Sequence, residues 1–212
     1  MNGKTQKLTL SAIMIALGTV LSLVRLFEMP YGGSVTPFSM VPIMLCAYLF
    51  GIRWGLFCGT VYGALQAILG ATMSGAFIGQ NFFGVIAVLM LDYLVAFAVL
   101  GFAGVFVDKL KKPALSFSLG CLLASFLRFT VHFVSGVIIW GSYAESTLQG
   151  LNDSLSRAIL NNLTGTGLAA AYSLVYNASF MLPETLISLV AVLALAGVGP
   201  IKAAVKAKSD KV

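Results

Sequence analysis

Long apolar runs dominate this chain and decide what kind of fold it can adopt. Hydrophobic residues make up 59% of its 212 residues and charged residues only 9%, whereas soluble domains carry about 25% charged residues. A water-soluble domain of this length could not bury so much apolar sequence. Helices that cross a bilayer need about 20 apolar residues each, and the runs are of that order. The sequence therefore predicts an all-α integral membrane protein.

Six runs are predicted to be transmembrane helices of a single membrane domain that covers residues 1–212. Their approximate bounds are Leu8–Phe27, Phe38–Gly51, Trp54–Ala71, Phe83–Val107, Ala114–Trp140 and Leu168–Val198. The first is too long for the apolar part of a signal peptide, so we interpret it as a spanning helix. The second is short and contains Pro42. The connection at residues 141–167 has apolar residues at helical spacing, which favours a helix on the membrane surface.

Positive charges predict the orientation of these helices. If both termini are cytoplasmic, the outer side holds only Arg25 and Arg157. The inner side then holds Lys4, Lys7, Arg53, Lys109, Lys111, Lys112, Lys202, Lys206, Lys208 and Lys211. Cytoplasmic loops carry an excess of Lys and Arg, so this distribution favours cytoplasmic termini and an even number of crossings. We interpret the basic C-terminal run as a solvated tail, with anionic lipid as the alternative partner, and the net charge of +6 does not indicate nucleic-acid binding.

Polar residues within the predicted helices gather at one depth. Arg128, His132, Gly136 and Trp140 recur every four residues, which places them on one stripe of the fifth helix. At a rise of about 1.5 Å per residue, Asp92 lies roughly 14 Å from the outer end of the fourth helix, and His132 lies roughly 12 Å from that of the fifth. Ionisable groups at such depths are costly and usually functional.

The sixth predicted helix contributes Tyr172 and Asn177 to the same outer half. Together with Tyr93 and Trp140, Tyr172 offers a flat face for a ring or a cation. Asp92 supplies a carboxylate for an amine or a positive charge. These groups predict a pocket for a compact, aromatic, cationic ligand, and no metal-ligand cluster accompanies them in the sequence.

Other interpretations of the same residues stay open at this point. Asp92 and Arg128 can neutralise each other as a structural ion pair. His132 can be a packing residue, and Trp140 can anchor the helix at the membrane interface. A further alternative is an intramembrane hydrolase that uses His132 and Asp92, although no Ser or Cys has an evident base at motif spacing.

Ala12 and Ala16 lie one turn apart on the first predicted helix. Small residues at this spacing let another helix approach closely. That helix can belong to this chain or to another subunit. The sequence contains no nucleotide-binding loop, so any ATP-driven step would need another chain.

At these residues the sequence resembles the substrate-binding S components of energy-coupling factor (ECF) transporters, and the thiamin-specific members most of all. The resemblance runs through nearly the whole chain. The matching segments are YGGSV and MVPI near the first outer loop, LDYLVAF, LRFTVHFVSGVIIWGSYA and AYSLVYN. The segments of the fourth to sixth helices are the specific ones.

The resemblance implies a six-helix protein of the prokaryotic plasma membrane that captures thiamin from outside and is not an enzyme. It implies that Ala12 and Ala16 dock onto a transmembrane coupling protein with two ATPases, which consume the ATP, and that the protein topples to release thiamin inside. No cofactor of its own is expected. The implied binding residues are Asp92, Tyr93, Arg128, His132, Gly136, Trp140, Tyr172 and Asn177, with Tyr62 as an aromatic wall. An S component for another vitamin, such as riboflavin or biotin, is the alternative.

Two residues and the length of one connection depart from the family pattern. Asp92 stands where the family can carry Glu, which has a longer reach. Gly33 stands where an aromatic residue can cover the pocket, so closure is expected to use Tyr31 or Phe38 instead. The connection after Tyr143 is longer than usual.

Overall fold

The computed structural model describes residues 3–151, 153–199 and 201, which fold into a helical bundle. In chain order its elements are α1 (Gly3–Leu23), β1 (Phe27–Glu28), β2 (Ser34–Val35), α2 (Val41–Phe50), α3 (Ile52–Ser74), α4 (Phe82–Gly104), α5 (Pro113–Ile138), α6 (Ala144–Leu151), α7 (Ser154–Asn162) and α8 (Gly165–Ala196). The basic run from Lys202 onwards, predicted to be a solvated tail, lies outside the described residues.

Within the described residues, five helices are long and apolar enough to cross a membrane: α1, α3, α4, α5 and α8. The predicted class of helical membrane protein is confirmed at this level. The second predicted span is shorter than expected, because α2 has only 10 residues and is about 15 Å long. Pro42 lies in the first turn of α2, a position that suits proline, so it begins the helix rather than interrupting it.

Helices α1 and α3 run parallel and begin at the same end of the bundle. Near their starts, the indole of Trp54 donates a hydrogen bond of 2.8 Å to Ser11 Oγ. Near their ends, Gln66 Nε2 donates one of 2.9 Å to Ser22 Oγ. Lys7 Nζ lies 4.1 Å from the centre of the Trp54 ring. The intervening residues 24–51 therefore bring the chain back to the end where α1 began.

Residues 24–40 form the first connection, a β1–β2 hairpin that is packed onto α8. Gly32 and Gly33 have φ values of 103° and 78°, which favour glycine. A Cβ on Gly32 would collide with the ring of Tyr176, and one on Gly33 with the ring of Phe180. Two glycines in succession therefore allow the hairpin to lie directly against the aromatic face of α8.

The long connection after α5 contains two short helices, α6 and α7, and their place on the membrane surface stays a prediction. Asp153 caps α7 by accepting hydrogen bonds of 2.9 Å from the backbone N–H groups of Leu155 and Ser156. The hydrogen bond from the backbone N–H of Ser156, followed by one from its hydroxyl, lowers the pKa of Asp153 to about 2. The hydroxyl of Tyr31 lies 3.1 Å from both Asp153 oxygens. The connection after α5 therefore holds the first connection, residues 24–40, in place.

Candidate functional site

A cavity of about 410 Å³ lies between α4, α5 and α8, within the range of small-ligand sites. It is lined by eight of the nine predicted binding residues and by seven others. The eight are Asp92, Tyr93, Arg128, His132, Gly136, Trp140, Tyr172 and Asn177. Residues that are 85 positions apart in the chain thus line one cavity.

Asp92 lies at the centre of the polar contacts. It belongs to Leu89–Val95, a π-helical stretch of α4, and such stretches are frequent at functional sites. Asp92 Oδ1 lies 3.4 Å from His132 Nδ1, and Oδ2 accepts a hydrogen bond of 2.9 Å from the indole N–H of Trp140. The second imidazole nitrogen of His132, Nε2, is buried without a hydrogen-bond partner among the described residues. One carboxylate therefore orients both the imidazole of His132 on α5 and the indole of Trp140, which lies just beyond the end of α5.

Arg128 is paired with Glu184 and not with Asp92. Its Nη1 lies 3.0 Å from Glu184 Oε2, and both side chains are buried. The guanidinium carbon also lies 4.8 Å from the centre of the Phe97 ring. The alternative in which Asp92 and Arg128 neutralise each other is thus wrong, because Arg128 pairs with Glu184, a carboxylate of α8.

Gly136 and Asn177 bring α5 and α8 together. A Cβ on Gly136 would clash with Ser173 Oγ, so the absence of a side chain allows α8 to approach. Asn177 Nδ2 donates to the backbone oxygen of Ser173 at 2.9 Å and to that of His132 at 3.4 Å. Gly136 is therefore a packing position at the cavity wall, and Asn177 uses its amide hydrogens to tie the two helices.

Tyr93 and Tyr172 supply two aromatic walls. The Tyr93 ring is stacked against that of Phe77, with centroids 5.8 Å apart. Tyr172 is buried in a cluster with Ala144 and Leu148 of α6. The short helices after α5 thus hold one wall of the cavity in position.

Tyr62 lies at a neighbouring cavity that shares Tyr93, Phe97 and Arg128 with the larger one. This neighbouring cavity has a volume of about 260 Å³, and Tyr62 is absent from the described lining of the larger one. Its ring meets the edge of Phe97 at a centroid distance of 5.0 Å, and its hydroxyl donates to the backbone oxygen of Gly18 at 3.3 Å. The role of Tyr62 as an aromatic wall therefore stays a prediction, and Phe97, which lines both cavities, lies against its ring.

Closure by Tyr31 or Phe38 stays a prediction. Neither is among the described residues that line the larger cavity, because Tyr31 is bonded to Asp153 and Phe38 is 40% exposed. Tyr176 and Phe180 line it instead, beneath the two glycines of the first connection. These two residues were missed, although with Tyr172 they recur every four residues on α8, which is a helical stripe.

The chemistry of the cavity favours an organic ligand. No group of three or more His, Cys, Asp or Glu side chains gathers anywhere in the part of the chain that is described. The lining combines one acid from α4, which contacts His132 and Trp140, with rings from α4, α5 and α8. Aromatic faces around a carboxylate suit a flat, positively charged molecule.

Comparison with known proteins places the chain in a family. Residues 8–202 match the family described as Thiamine transporter protein (Thia_YuaJ). The thiamine transporter ThiT of Bacillus subtilis (strain 168) is 33% identical over 188 residues, which cover 83% of this chain and 82% of that protein. ThiT of Lacticaseibacillus paracasei is 25% identical over 175 residues, covering 77% of this chain and 73% of the relative.

A solved structure of ThiT from Listeria monocytogenes has the same fold. It aligns with a TM-score of 0.68 at 24% identity and covers 94% of this chain and 97% of that one. Family, relatives and fold agree with the resemblance that the motifs of α4, α5 and α8 carry. The chain belongs to the thiamine transporter protein family, a family of transporters and not of enzymes, as the sequence predicted.

Proposed function

We propose that this protein binds thiamin from outside the cell in the cavity between α4, α5 and α8, and serves as the S component of an ECF-type importer. The observation that carries the proposal is the Asp92 carboxylate, which lies among aromatic rings while the arginine of the same cavity is already paired with Glu184. The names of the relatives, which are thiamine transporters, support the choice of ligand.

Thiamin carries a cationic thiazolium ring and an aminopyrimidine ring. Asp92 would meet the aminopyrimidine or the cationic ring, and Tyr93, His132 and Trp140 would stack on the ligand or orient it. Contacts of these kinds contribute about 1–3 kcal/mol each, so several of them in a pre-formed pocket reach nanomolar affinity.

The remaining lining residues have different roles in this proposal. Tyr172 and Asn177 would hold the polar edges of thiamin, and Gly136 keeps the wall close to the ligand. Arg128 forms part of the wall with its charge neutralised. Tyr176 and Phe180 would cover the ligand beneath the first connection.

A bundle of six crossings with cytoplasmic termini in the cell membrane is part of the proposal. The return of residues 24–51 to the end where α1 began supports a crossing that includes α2. The contact of Lys7 with Trp54 and the neighbouring Arg53 give that end a positive charge, which is typical of the cytoplasmic side. The chain would form one membrane domain over residues 1–212, with α6 and α7 at the outer surface.

Delivery of thiamin would need partner subunits. Ala12 and Ala16 are exposed on α1, whereas Ser11, Ile15 and Gly18 face the bundle. The small pair is therefore available to a helix of another subunit. We propose that it docks onto a transmembrane coupling protein whose two ATPases drive toppling and release.

Titration of the purified protein with thiamin, riboflavin and biotin tests the proposed ligand. Trp54 and Trp140 are its two tryptophans, so a Trp54→Phe variant leaves Trp140, in the cavity, as the single reporter. We expect saturable quenching by thiamin alone, and thiamin should be the small molecule that copurifies. Saturation by another vitamin, or by none, would contradict the proposal, and turnover without partner chains would favour the hydrolase.

A further inference from the structure

Glu184 is a buried carboxylate that the proposed contacts with thiamin do not use. It lies in the interior of α8, directly after Pro183, and is 3% exposed. Its Oε1 accepts hydrogen bonds from the backbone N–H of Thr36 at 3.1 Å and from Thr36 Oγ1 at 2.6 Å. Its Oε2 accepts a bond of 3.0 Å from Arg128 Nη1. Both oxygens are thus engaged by the protein itself.

Arg128 is held at the cavity wall by this carboxylate. Its Nη1 also contacts Met40 Sδ at 2.8 Å, and its guanidinium lies over the Phe97 ring. Glu184 is the one acidic side chain within 4.0 Å of Arg128 among the described residues. Because a buried cation without a partner is very costly, Glu184 is what allows an arginine to lie beside a site for a cation.

The charge balance of the larger cavity depends on this pairing. Among the described residues that line this cavity, Asp92 is the acid and Arg128 is the arginine. With Arg128 neutralised, the negative charge of Asp92 is not cancelled by the arginine. Without Glu184, the unpaired charge of Arg128 would repel a cationic ligand in the same cavity and attract the Asp92 carboxylate, and the low dielectric of the interior would strengthen both effects.

We propose that Glu184 is a positioning residue that determines the charge specificity of the cavity: by neutralising Arg128, it reserves the Asp92 carboxylate for a cationic ligand. This inference rests on the proposed function, because thiamin is the cation that the cavity would select. Glu184 acts through Arg128 and needs no contact with the ligand.

A double-mutant cycle tests the pairing without any ligand. Glu184→Gln should lower the midpoint of thermal unfolding in detergent, because Arg128 is left as an unpaired buried charge. Adding Arg128→Gln should restore most of the loss. Thr185→Gln, at the next position of the same helix, is the control and should show no such rescue by Arg128→Gln. Equal losses in the single and double variants would overturn the pairing.

Binding of two ligands tests the specificity. The probes are thiamin and a neutral analogue in which a thiophene ring replaces the thiazolium. In Glu184→Gln the affinity for thiamin should fall at least tenfold further than that for the neutral analogue, and Arg128→Gln should restore the ratio. An unchanged ratio would overturn the inference while leaving thiamin as the ligand. Failure of the wild-type protein to bind thiamin would instead refute the proposed function. The double-mutant cycle in thermal unfolding would still test the pairing of Glu184 with Arg128.

Discussion

The indole N–H of Trp140 donates a hydrogen bond of 2.9 Å to the Asp92 carboxylate, across 48 positions of sequence. The same carboxylate lies 3.4 Å from His132. Trp140 is therefore more than a membrane-interface anchor, because its ring is oriented by a half-buried acid at the cavity wall. The charge and the aromatic face that a cation would contact are fixed together before any ligand arrives.

Asp92→Asn should weaken thiamin binding by at least tenfold. The amide keeps the size of the side chain but removes the negative charge that would attract the thiazolium ring. Tryptophan-fluorescence titration measures the affinity, with Asp108→Asn as a control outside the cavity lining. Unchanged affinity of Asp92→Asn would remove this residue from the site.

Gly136→Ala should destabilise the protein, because the new Cβ would clash with Ser173 Oγ. Overpacking of this kind typically costs about 1–3 kcal/mol. Thermal unfolding measures the loss, and adding Ser173→Gly should recover part of it. Gly150→Ala serves as the control, since a Cβ there meets nothing within 4 Å. A Gly136→Ala variant as stable as the control would contradict the packing role.

The cap of α7 should be lost only in strong acid. Hydrogen bonds from Ser156 lower the pKa of Asp153 to about 2, below the ordinary value of about 3.9. The stabilisation by Asp153 is therefore fully present above about pH 4 and is lost as the pH falls through about 2.

Hydrogen exchange of residues 154–157, corrected for the intrinsic effect of pH, measures this transition. Protection should be constant from pH 7 to about pH 4 and should then decline. Asp153→Ala should show low protection throughout, whereas Tyr31→Phe should keep the cap and loosen only the first connection. A decline centred near pH 6 would rule out Asp153 as its cause.

Ala12→Leu and Ala16→Leu should abolish thiamin uptake but leave thiamin binding unchanged. Both positions are exposed on α1, away from the cavity, and a larger side chain would prevent close approach of a partner helix. Uptake of labelled thiamin by cells that contain the partner module measures transport. Val20→Leu, at an exposed position of the same helix, is the control, and normal uptake by Ala12→Leu would refute docking at this pair.

Much of the site could be predicted because helices turn local spacing into a shared face. Arg128, His132 and Gly136 follow each other at four residues on α5, and Trp140 continues this spacing just beyond its end, so their common direction follows from the sequence. The spacing of Tyr172, Tyr176 and Phe180 carries the same signal on α8. By contrast, the partner of Arg128 is 56 positions away, and spacing within one helix cannot select between two distant acids.

By itself, the sequence determined the helical membrane class and the stripe of α5, because hydrophobic length and helical period are local quantities. The tertiary structure alone decided that Glu184 pairs with Arg128, that Tyr62 lies at the neighbouring cavity, and that a hairpin with two glycines covers α8. Each of these depends on how closely helices approach one another. That distance is set by packing between side chains remote in sequence, which no single run of residues specifies.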